Sequence, residues 1–311
     1  MVALLVASLV RIPYYSIEPG VAFEIGPLIR VDGHPVYDST GRFVLASVEV
    51  RQLTPVHALL AWLDPSREVV GRAELFLPGE THEQEVRRAR DEMTRSEIDA
   101  VHTALSALGE YPKAHGPGAL VESVVAGCPA EERLMPGDVI VEIEGSPIGG
   151  RRAASRAIAA AGGSVELVVA RGGTELELTL EREPCAGQDR PLIGVALVDE
   201  FPFDVRIADT GVGGPSAGLM FTLAVYDRLT PGDLTSGRTI SGTGTIDLRG
   251  RVGAIAGIEQ KVRAAEEAGA DLFLLPEGNA RGAETAAGDG MELMPVRSFD
   301  DALSRLEAIE A

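Results

Sequence analysis

Two side chains in the last third of this sequence could together carry out nucleophilic chemistry. Ser216 follows a Gly-rich turn and precedes an almost wholly apolar stretch, within TGVGGPSAGLMFTLAVYDRL. Lys261 lies in the middle of a predicted helix, AGIEQKVRAAEEAG. Of the 28 basic residues, only Lys261 and Lys113 are lysines. Because a buried lysine can lose its proton near neutral pH and an arginine cannot, a lysine here in an arginine-rich chain favours a chemical role.

The glycines before Ser216 predict a helix N-terminus at or beside this serine. Backbone N–H groups at a helix N-terminus have no partner within the helix and can stabilise a developing oxyanion. We therefore assign Gly214 and Pro215, in the loop before the serine, to the region of an oxyanion site. Serine is also a preferred helix cap, so the pattern alone leaves open a purely structural serine.

A serine nucleophile needs a general base, and the distribution of histidines restricts the choice. All five histidines precede residue 116, which excludes a Ser-His-Asp triad within the C-terminal part of the chain. Lys261 shares the apolar stripe of its helix with Ile258, Val262 and Ala265, so burial is expected to lower its pKa towards that of a general base. The alternative is a lysine whose stem packs on the core while its amine reaches solvent.

The motif GGPSAGLMF, followed by GTGTIDLRGRVGAIAGIEQKVRAAEEAGADLFLLPEGN, resembles the proteolytic domain of Lon-type serine proteases from about residue 192 onwards. The resemblance implies that Ser216 is the nucleophile, that Lys261 is the general base and that the Thr243 hydroxyl orients the lysine amine. The stretch before Ser216 is short for this family, which implies a trimmed domain. Lon protease domains form hexameric rings, so the resemblance implies a homo-oligomer and favours a hexamer.

No Walker A motif accompanies these residues, because Lys113 and Lys261 are followed by Ala and Val instead of Ser or Thr. Full-length Lon proteases carry an ATPase that unfolds substrates. We therefore expect ATP-independent cleavage of unfolded or exposed protein segments, with no cofactor and no metal.

The segment LMPGDVIVEIEG, residues 134–145, precedes a predicted helix and a hairpin, and this order resembles a PDZ domain over about residues 114–183. PDZ domains add an extended peptide as a strand and hold its C-terminal carboxylate with backbone amides. GPGAL, from Gly116 to Leu120, stands where the carboxylate-binding loop is expected and departs from the family's sequence. We therefore expect strand addition and leave the preference for C-terminal peptides open.

These segments predict an α+β protein of several domains. We expect a truncated membrane anchor at residues 1–14, a strand-rich N-terminal α/β region at 15–110, a PDZ-like domain at 111–184 and a Lon-type proteolytic domain at 185–311. The Gly/Pro-rich segments GEYPKAHGPG and EPCAGQDRP are the predicted linkers.

The N-terminal stretch MVALLVASLV is apolar apart from Ser8, but it is shorter than the roughly 20 residues that span a membrane. It could be part of a longer anchor, a short signal sequence or a buried strand. Arg11, Tyr14 and Tyr15 suit a membrane interface and favour the anchor. We therefore expect a single-pass protein of the cell membrane, with its PDZ and protease domains outside the cytoplasm.

The overall composition restricts the partners. A formal net charge of −19 with no basic cluster argues against nucleic acid. The two cysteines, Cys128 and Cys185, are too few for a zinc site. They could form a disulfide in an oxidising compartment, which the sequence alone does not decide.

The function that these patterns favour is a serine endopeptidase acting on protein or peptide substrates, with the PDZ domain presenting or gating them. The first alternative is an inactive scaffold that keeps both domains. The second is a small-molecule kinase, because GVGGPSAG also resembles the phosphate loop of GHMP kinases.

Overall fold

The computed structural model describes residues 10–64, 66–185, 187–209, 211 and 213–310. The expected anchor at residues 1–14 therefore lies mostly outside the described residues. Within them, no helix combines the length and the apolar character needed to cross a membrane.

Helices and runs of strands are both found throughout the described part of the chain. The helices are α1 (Pro55–Trp62), α2 (Arg72–Leu75), α3 (His82–Ala107), α4 (Arg151–Ala160), α5 (Gly218–Leu229), α6 (Ile258–Glu267), α7 (Ala280–Ala286) and α8 (Phe299–Glu310). The strands are β1 (Tyr14–Glu24), β2 (Ile29–Asp32), β3 (Arg42–Gln52), β4 (Glu68–Gly71), β5 (Ala119–Val124), β6 (Val139–Ile143), β7 (Ser146–Pro147), β8 (Ser164–Arg171), β9 (Thr174–Glu181), β10 (Glu183–Pro184), β11 (Pro191–Leu192), β12 (Val195–Asp199), β13 (Asp204–Ile207), β14 (Thr239–Gly242), β15 (Thr245–Ile246), β16 (Val252–Gly253), β17 (Leu272–Pro276) and β18 (Glu292–Val296).

Strands from both ends of the chain form one sheet, in the order β18-β17-β14-β3-β1-β4. The C-terminal strands join the N-terminal ones through the parallel pairing of β14 with β3, in which Ile240 lies opposite Phe43. This arrangement differs from the expected division, because residues 15–110 supply half the strands of the sheet to which the C-terminal region belongs. A pattern of alternating residues predicts a strand but does not name the strand with which it pairs.

The core beside this sheet is also built from both ends of the chain. Helix α5 is almost wholly buried, with Leu219 and Phe221 at most 1% exposed. It packs along α3, whose Ala100 and Leu105 join the same apolar cluster. The expectation of a trimmed domain is corrected accordingly, because α3 and strands β2 and β3 complete the core from an earlier part of the chain.

A second sheet has the order β12-β5-β6-β8-β9, with β7 paired to β6 and α4 packed against it. The expected boundary at residues 184/185 assigns β12 to the proteolytic domain, whereas the structure pairs β12 with β5 in antiparallel register. The second sheet therefore lies, in sequence, between the two parts of the first. A disulfide between Cys128 and Cys185 joins the segment after β5 to the segment between β10 and β11.

The loop GPGAL, which was the expected place for a peptide carboxylate, has its amides already occupied. Gly116 N donates to the Glu200 carbonyl at 3.0 Å, and Gly118 N donates to the Glu200 carboxylate at 2.7 Å. The Pro117 carbonyl accepts from Gly150 N at 2.9 Å. In this conformation the loop binds the chain's own carboxylate, so it is not open to a ligand's.

Candidate active site

Ser216 lies in a one-turn 3-10 helix, Pro215–Ala217, that leads directly into α5. Gly214 begins the turn with a φ of 94°, a conformation that favours glycine, and Pro215 occupies the first position. The buried residues of α5 hold the turn against the core. The serine is thus placed at the N-terminal end of a fixed helix, as the glycine pattern predicts.

The segment after β14 binds the backbone at the serine and three residues beyond it. The Ser216 carbonyl accepts from Gly244 N at 2.9 Å and from the Thr243 hydroxyl at 3.0 Å. Leu219 N donates to the Gly244 carbonyl at 3.0 Å. These bonds fix the serine turn to the end of β14, where Thr243 itself is fully buried.

Helix α3 holds the same turn from the other side. The Ser96 hydroxyl donates to the Pro215 carbonyl at 3.1 Å, and Gly214 N donates to the Ala89 carbonyl at 3.3 Å. A Cβ at Gly218 would lie 2.9 Å from Ser96 Oγ and 2.8 Å from Ile246, so only glycine allows this close approach. The sequence alone gives little sign of this role of α3. Its one signal was a row of small residues at helical spacing, Ala89, Ser96, Ala100 and Thr103.

Lys261 lies one turn into α6, which begins after Gly257 in the left-handed conformation at a φ of 67°. Its side chain is buried, with the residue 4% exposed. The amine donates to Ser216 Oγ at 2.7 Å and to Thr243 Oγ1 at 3.2 Å. The structure thus brings Ser216, Lys261 and Thr243 together, although the lysine lies 45 residues after Ser216 and 18 residues after Thr243.

Burial lowers the pKa of Lys261 from 10.5 to about 8. Within the described part of the chain, no carboxylate forms an ion pair with the amine that would oppose this effect. A substantial fraction of the amine is therefore neutral near pH 8 and can accept a proton from Ser216 Oγ, which the 2.7 Å distance allows.

Gly214 and Pro215 shape the loop and leave the oxyanion donors to their neighbours. The Gly214 amide is occupied by the Ala89 carbonyl, and proline has no N–H. The amides of Ser216 and Ala217 open the turn, where helical N–H groups have no partner within the helix. No group of metal-ligating side chains is found among the described residues.

A cavity of about 940 Å³ lies between α3, residues 200–207 and the second sheet. Glu97 of α3 lines it, and burial, with Asp209 nearby, raises the pKa of Glu97 to about 7. Two residues further along α3, burial beside Glu122 of β5 raises the pKa of Asp99 to about 7, and Arg95 forms ion pairs with both. The helix that supports the serine turn therefore also contacts the second sheet.

Comparison with known proteins identifies two regions of the chain. Residues 205–307 match the family of the Lon protease (S16) C-terminal proteolytic domain, and residues 106–181 match the PDZ domain family. These matches confirm the expected fold class, an α+β protein with a strand-rich N-terminal region, a PDZ-like domain and a Lon-type proteolytic domain.

Curated proteins similar to the chain include Lon proteases. The chain is 34% identical over 93 residues to a Lon protease of Buchnera aphidicola and 35% identical over 96 residues to one of Roseiflexus castenholzii. It is 29% identical over 107 residues to Lon protease 2 of Bacillus subtilis. These alignments cover 29%, 30% and 33% of this chain, but only 12%, 12% and 19% of the relatives. The chain thus matches less than a fifth of the length of these relatives.

Two solved PDZ domains of SdrC-like proteins are also similar to part of the chain. The one from Listeria monocytogenes is 25% identical with a TM-score of 0.25, covering 27% of this chain and 90% of that one. The one from Listeria innocua is 26% identical with a TM-score of 0.24, covering 26% and 92%.

Proposed function

We propose that this chain, which carries a PDZ domain and a Lon-type proteolytic domain, is a serine endopeptidase that uses a Ser-Lys dyad. The observation that supports the proposal most directly is the 2.7 Å contact between Lys261 Nζ and Ser216 Oγ in a buried environment. A kinase would use this loop to hold the phosphates of a nucleotide. A lysine that is hydrogen-bonded to the serine hydroxyl instead provides the adjacent base that a serine nucleophile needs.

In the proposed reaction, the neutral Lys261 amine accepts the Ser216 hydroxyl proton as Oγ attacks the carbonyl carbon of the peptide bond. The resulting oxyanion lies near the amides at the start of the 3-10 turn, whose N–H groups can stabilise it. The lysine then gives its proton to the departing amine, leaving an acyl-enzyme. Water then attacks the acyl carbon in the same way, with Lys261 taking its proton, and breaks the ester bond to restore the serine.

The Thr243 hydroxyl lies 3.2 Å from the lysine amine and donates to the Ser216 carbonyl at 3.0 Å. We infer that it orients the amine towards the serine. The sequence carries no Walker A motif, which supports cleavage of unfolded or exposed segments that need no ATP-driven unfolding. A homo-oligomer, by resemblance a hexamer, belongs to the same proposal, and sedimentation velocity tests it.

We further propose that the PDZ domain takes up substrate at β12. This strand pairs with β5 on one side and lies at the end of its sheet, with α4 packed beside it. Val195 lies directly opposite Val124, and the neighbouring hydrogen bond runs from Val125 N to the Gly194 carbonyl. Val195 and Val124 are therefore a non-hydrogen-bonded pair, and the backbone N–H and C=O of Val195 point away from β5. An extended peptide could add there as a further strand.

A location outside the cytoplasm belongs to the proposal as well. The disulfide between Cys128 and Cys185 favours an oxidising compartment. The apolar residues at the start of the sequence are consistent with a membrane tether. Fractionation of cells, followed by protease accessibility of the intact membrane, tests the location and the orientation together.

The test of the activity is cleavage of fluorescent casein by the full chain and by two variants, Ser216→Ala and Lys261→Arg. Both variants are expected to lose cleavage, because the first lacks the nucleophile and a guanidinium cannot act as the base. Lys113→Arg is the matched control, since it makes the same change at the chain's other lysine, which is exposed.

Activity retained by Lys261→Arg would refute the Ser-Lys mechanism. A serine-directed phosphonate probe separates the remaining alternative. An inactive scaffold would leave Ser216 unlabelled, whereas the proposed enzyme is labelled at Ser216 and at no other serine.

A further inference from the structure

Helix α1 presents an apolar face to solvent. Leu59 is 60% exposed, Leu60 56%, Trp62 78% and Leu63, which ends the helix, 66%. The residue of α1 that packs inwards is a small one, Ala61, at 1% exposed. Contiguous apolar patches on a protein surface mark sites of interaction with proteins, membranes or ligands.

The first described residues of the chain lie close to the start of α1. Ile12 N donates to the Leu53 carbonyl at 2.9 Å, and Leu53 N donates to the Tyr14 carbonyl at 2.9 Å. Leu53 immediately precedes Thr54, the residue that caps α1. The described chain therefore begins, at Val10, two residues before a bond to the residue that precedes the cap of α1, and MVALLVASL comes before Val10 in the sequence.

The chemistry of this surface suits a bilayer interface. From Pro55 to Leu63 the sequence PVHALLAWL contains no Asp, Glu, Lys or Arg. Tyr14, at 50% exposed, adds a second exposed aromatic ring beside the entry of the chain. Tryptophan and tyrosine concentrate where a bilayer meets water, and leucine and tryptophan form the buried side of helices that lie in that layer.

We propose that the apolar face of α1, formed by Leu59, Leu60, Trp62 and Leu63, lies in the surface of a lipid bilayer. This inference rests on the membrane tether proposed above: if the apolar start of the chain is a tether, it brings the helix to the bilayer in every molecule, which favours lipid over a second copy of the protein. The face then gives a second contact beyond any tether. Two contacts fix the orientation of the domain relative to the membrane, whereas a tether alone leaves it free to rotate.

Trp62 is the only tryptophan in the chain, so its fluorescence reports on this helix alone. The full chain is reconstituted into vesicles of phosphatidylcholine and phosphatidylglycerol, with and without dibrominated phosphatidylcholine. We expect the Trp62 emission to shift to the blue and to lose most of its intensity in the brominated vesicles. Bromines placed about 5–10 Å below the headgroups should quench more than deeper ones, because interfacial helices lie at that depth.

Leu59→Asp is expected to abolish the quenching while keeping the first nine residues, which separates the helix contact from the tether. Val21→Asp is the matched control, since Val21 is 68% exposed, lies in β1 and receives the same substitution. Thermal unfolding by circular dichroism checks that both variants remain folded.

Two outcomes would overturn the proposal. Emission typical of water, fully quenched by acrylamide and insensitive to brominated lipid, would show that the face stays in solvent. A blue shift that depends on protein concentration and not on brominated lipid would show that the face is buried against a second copy.

Discussion

The titration of Lys261 should control the reactivity of Ser216. Burial lowers the lysine pKa from 10.5 to about 8. At pH 7 an amine with a pKa of about 8 is neutral in about 9% of molecules, against about 0.03% for a pKa of 10.5, a difference of about 300-fold in competent enzyme. Below pH 8 the neutral fraction rises about tenfold per pH unit, and above it the fraction levels off. We expect the reactivity of the serine to follow this curve.

The assay is the second-order rate of labelling by a serine-directed phosphonate, measured on the full chain across the pH range. Labelling needs no knowledge of the preferred substrate, and the probe itself does not titrate. Lys261→Arg should label slowly and without this rise, which serves as the control for other titrating groups. A rate that is independent of pH, or that keeps rising towards the ordinary lysine pKa, would refute the assignment of Lys261 as the base.

Three further predictions concern stability and orientation. Lys261→Met should stabilise the protein by about 3 kcal/mol at pH 7, because below pH 8 the folded state must hold a charged amine in a buried site. This gain should fade as the pH rises from about 8 to 10.5, where the lysine of the unfolded state also becomes neutral. Chemical denaturation that shows the same pH dependence for both proteins would contradict the prediction. Thr243→Val should lower kcat about 10- to 100-fold with little change in KM, because one hydrogen bond to the amine is lost; steady-state kinetics that show only a KM change would argue against an orienting role. Reduction of the disulfide, which spans 57 residues, should destabilise the second sheet by about 4 kcal/mol. Dithiothreitol should therefore lower the melting temperature of the wild type and leave that of a Cys128→Ser/Cys185→Ser variant unchanged. No effect of dithiothreitol on the wild type would contradict the prediction.

The two candidate catalytic side chains were predictable because their signals are local. A Gly-rich turn before an apolar helix predicts the position of Ser216, and an apolar stripe predicts the burial of Lys261. Their partner in α3 was not predictable in the same way. Ser96 reaches the Pro215 carbonyl across a separation of 119 residues, and its helix carries many charges that favour the simpler interpretation of a solvated surface.

The unpartnered face of α1 shows a similar limit. Thr54 caps this helix, with His57 N donating to Thr54 Oγ1 at 3.4 Å, and Pro55 begins it. The segment PVHALLAWL carries no charged side chain, yet the structure leaves most of it in solvent. The hydrophobicity of a segment does not show whether it packs into the protein's own core or against a partner or a membrane.

The sequence by itself indicated the candidate nucleophile, the candidate base and the kinds of domain, because each depends on residue type and short-range spacing. Only the tertiary structure decided that both ends of the chain share one sheet and that β12 completes the PDZ sheet. Strands pair through backbone groups that every residue possesses, so the side-chain pattern shows which face is buried but not which strand lies alongside. The 2.7 Å contact between Lys261 and Ser216 depends on those pairings, because β1 and β3 of the N-terminal region support the helix that carries the lysine.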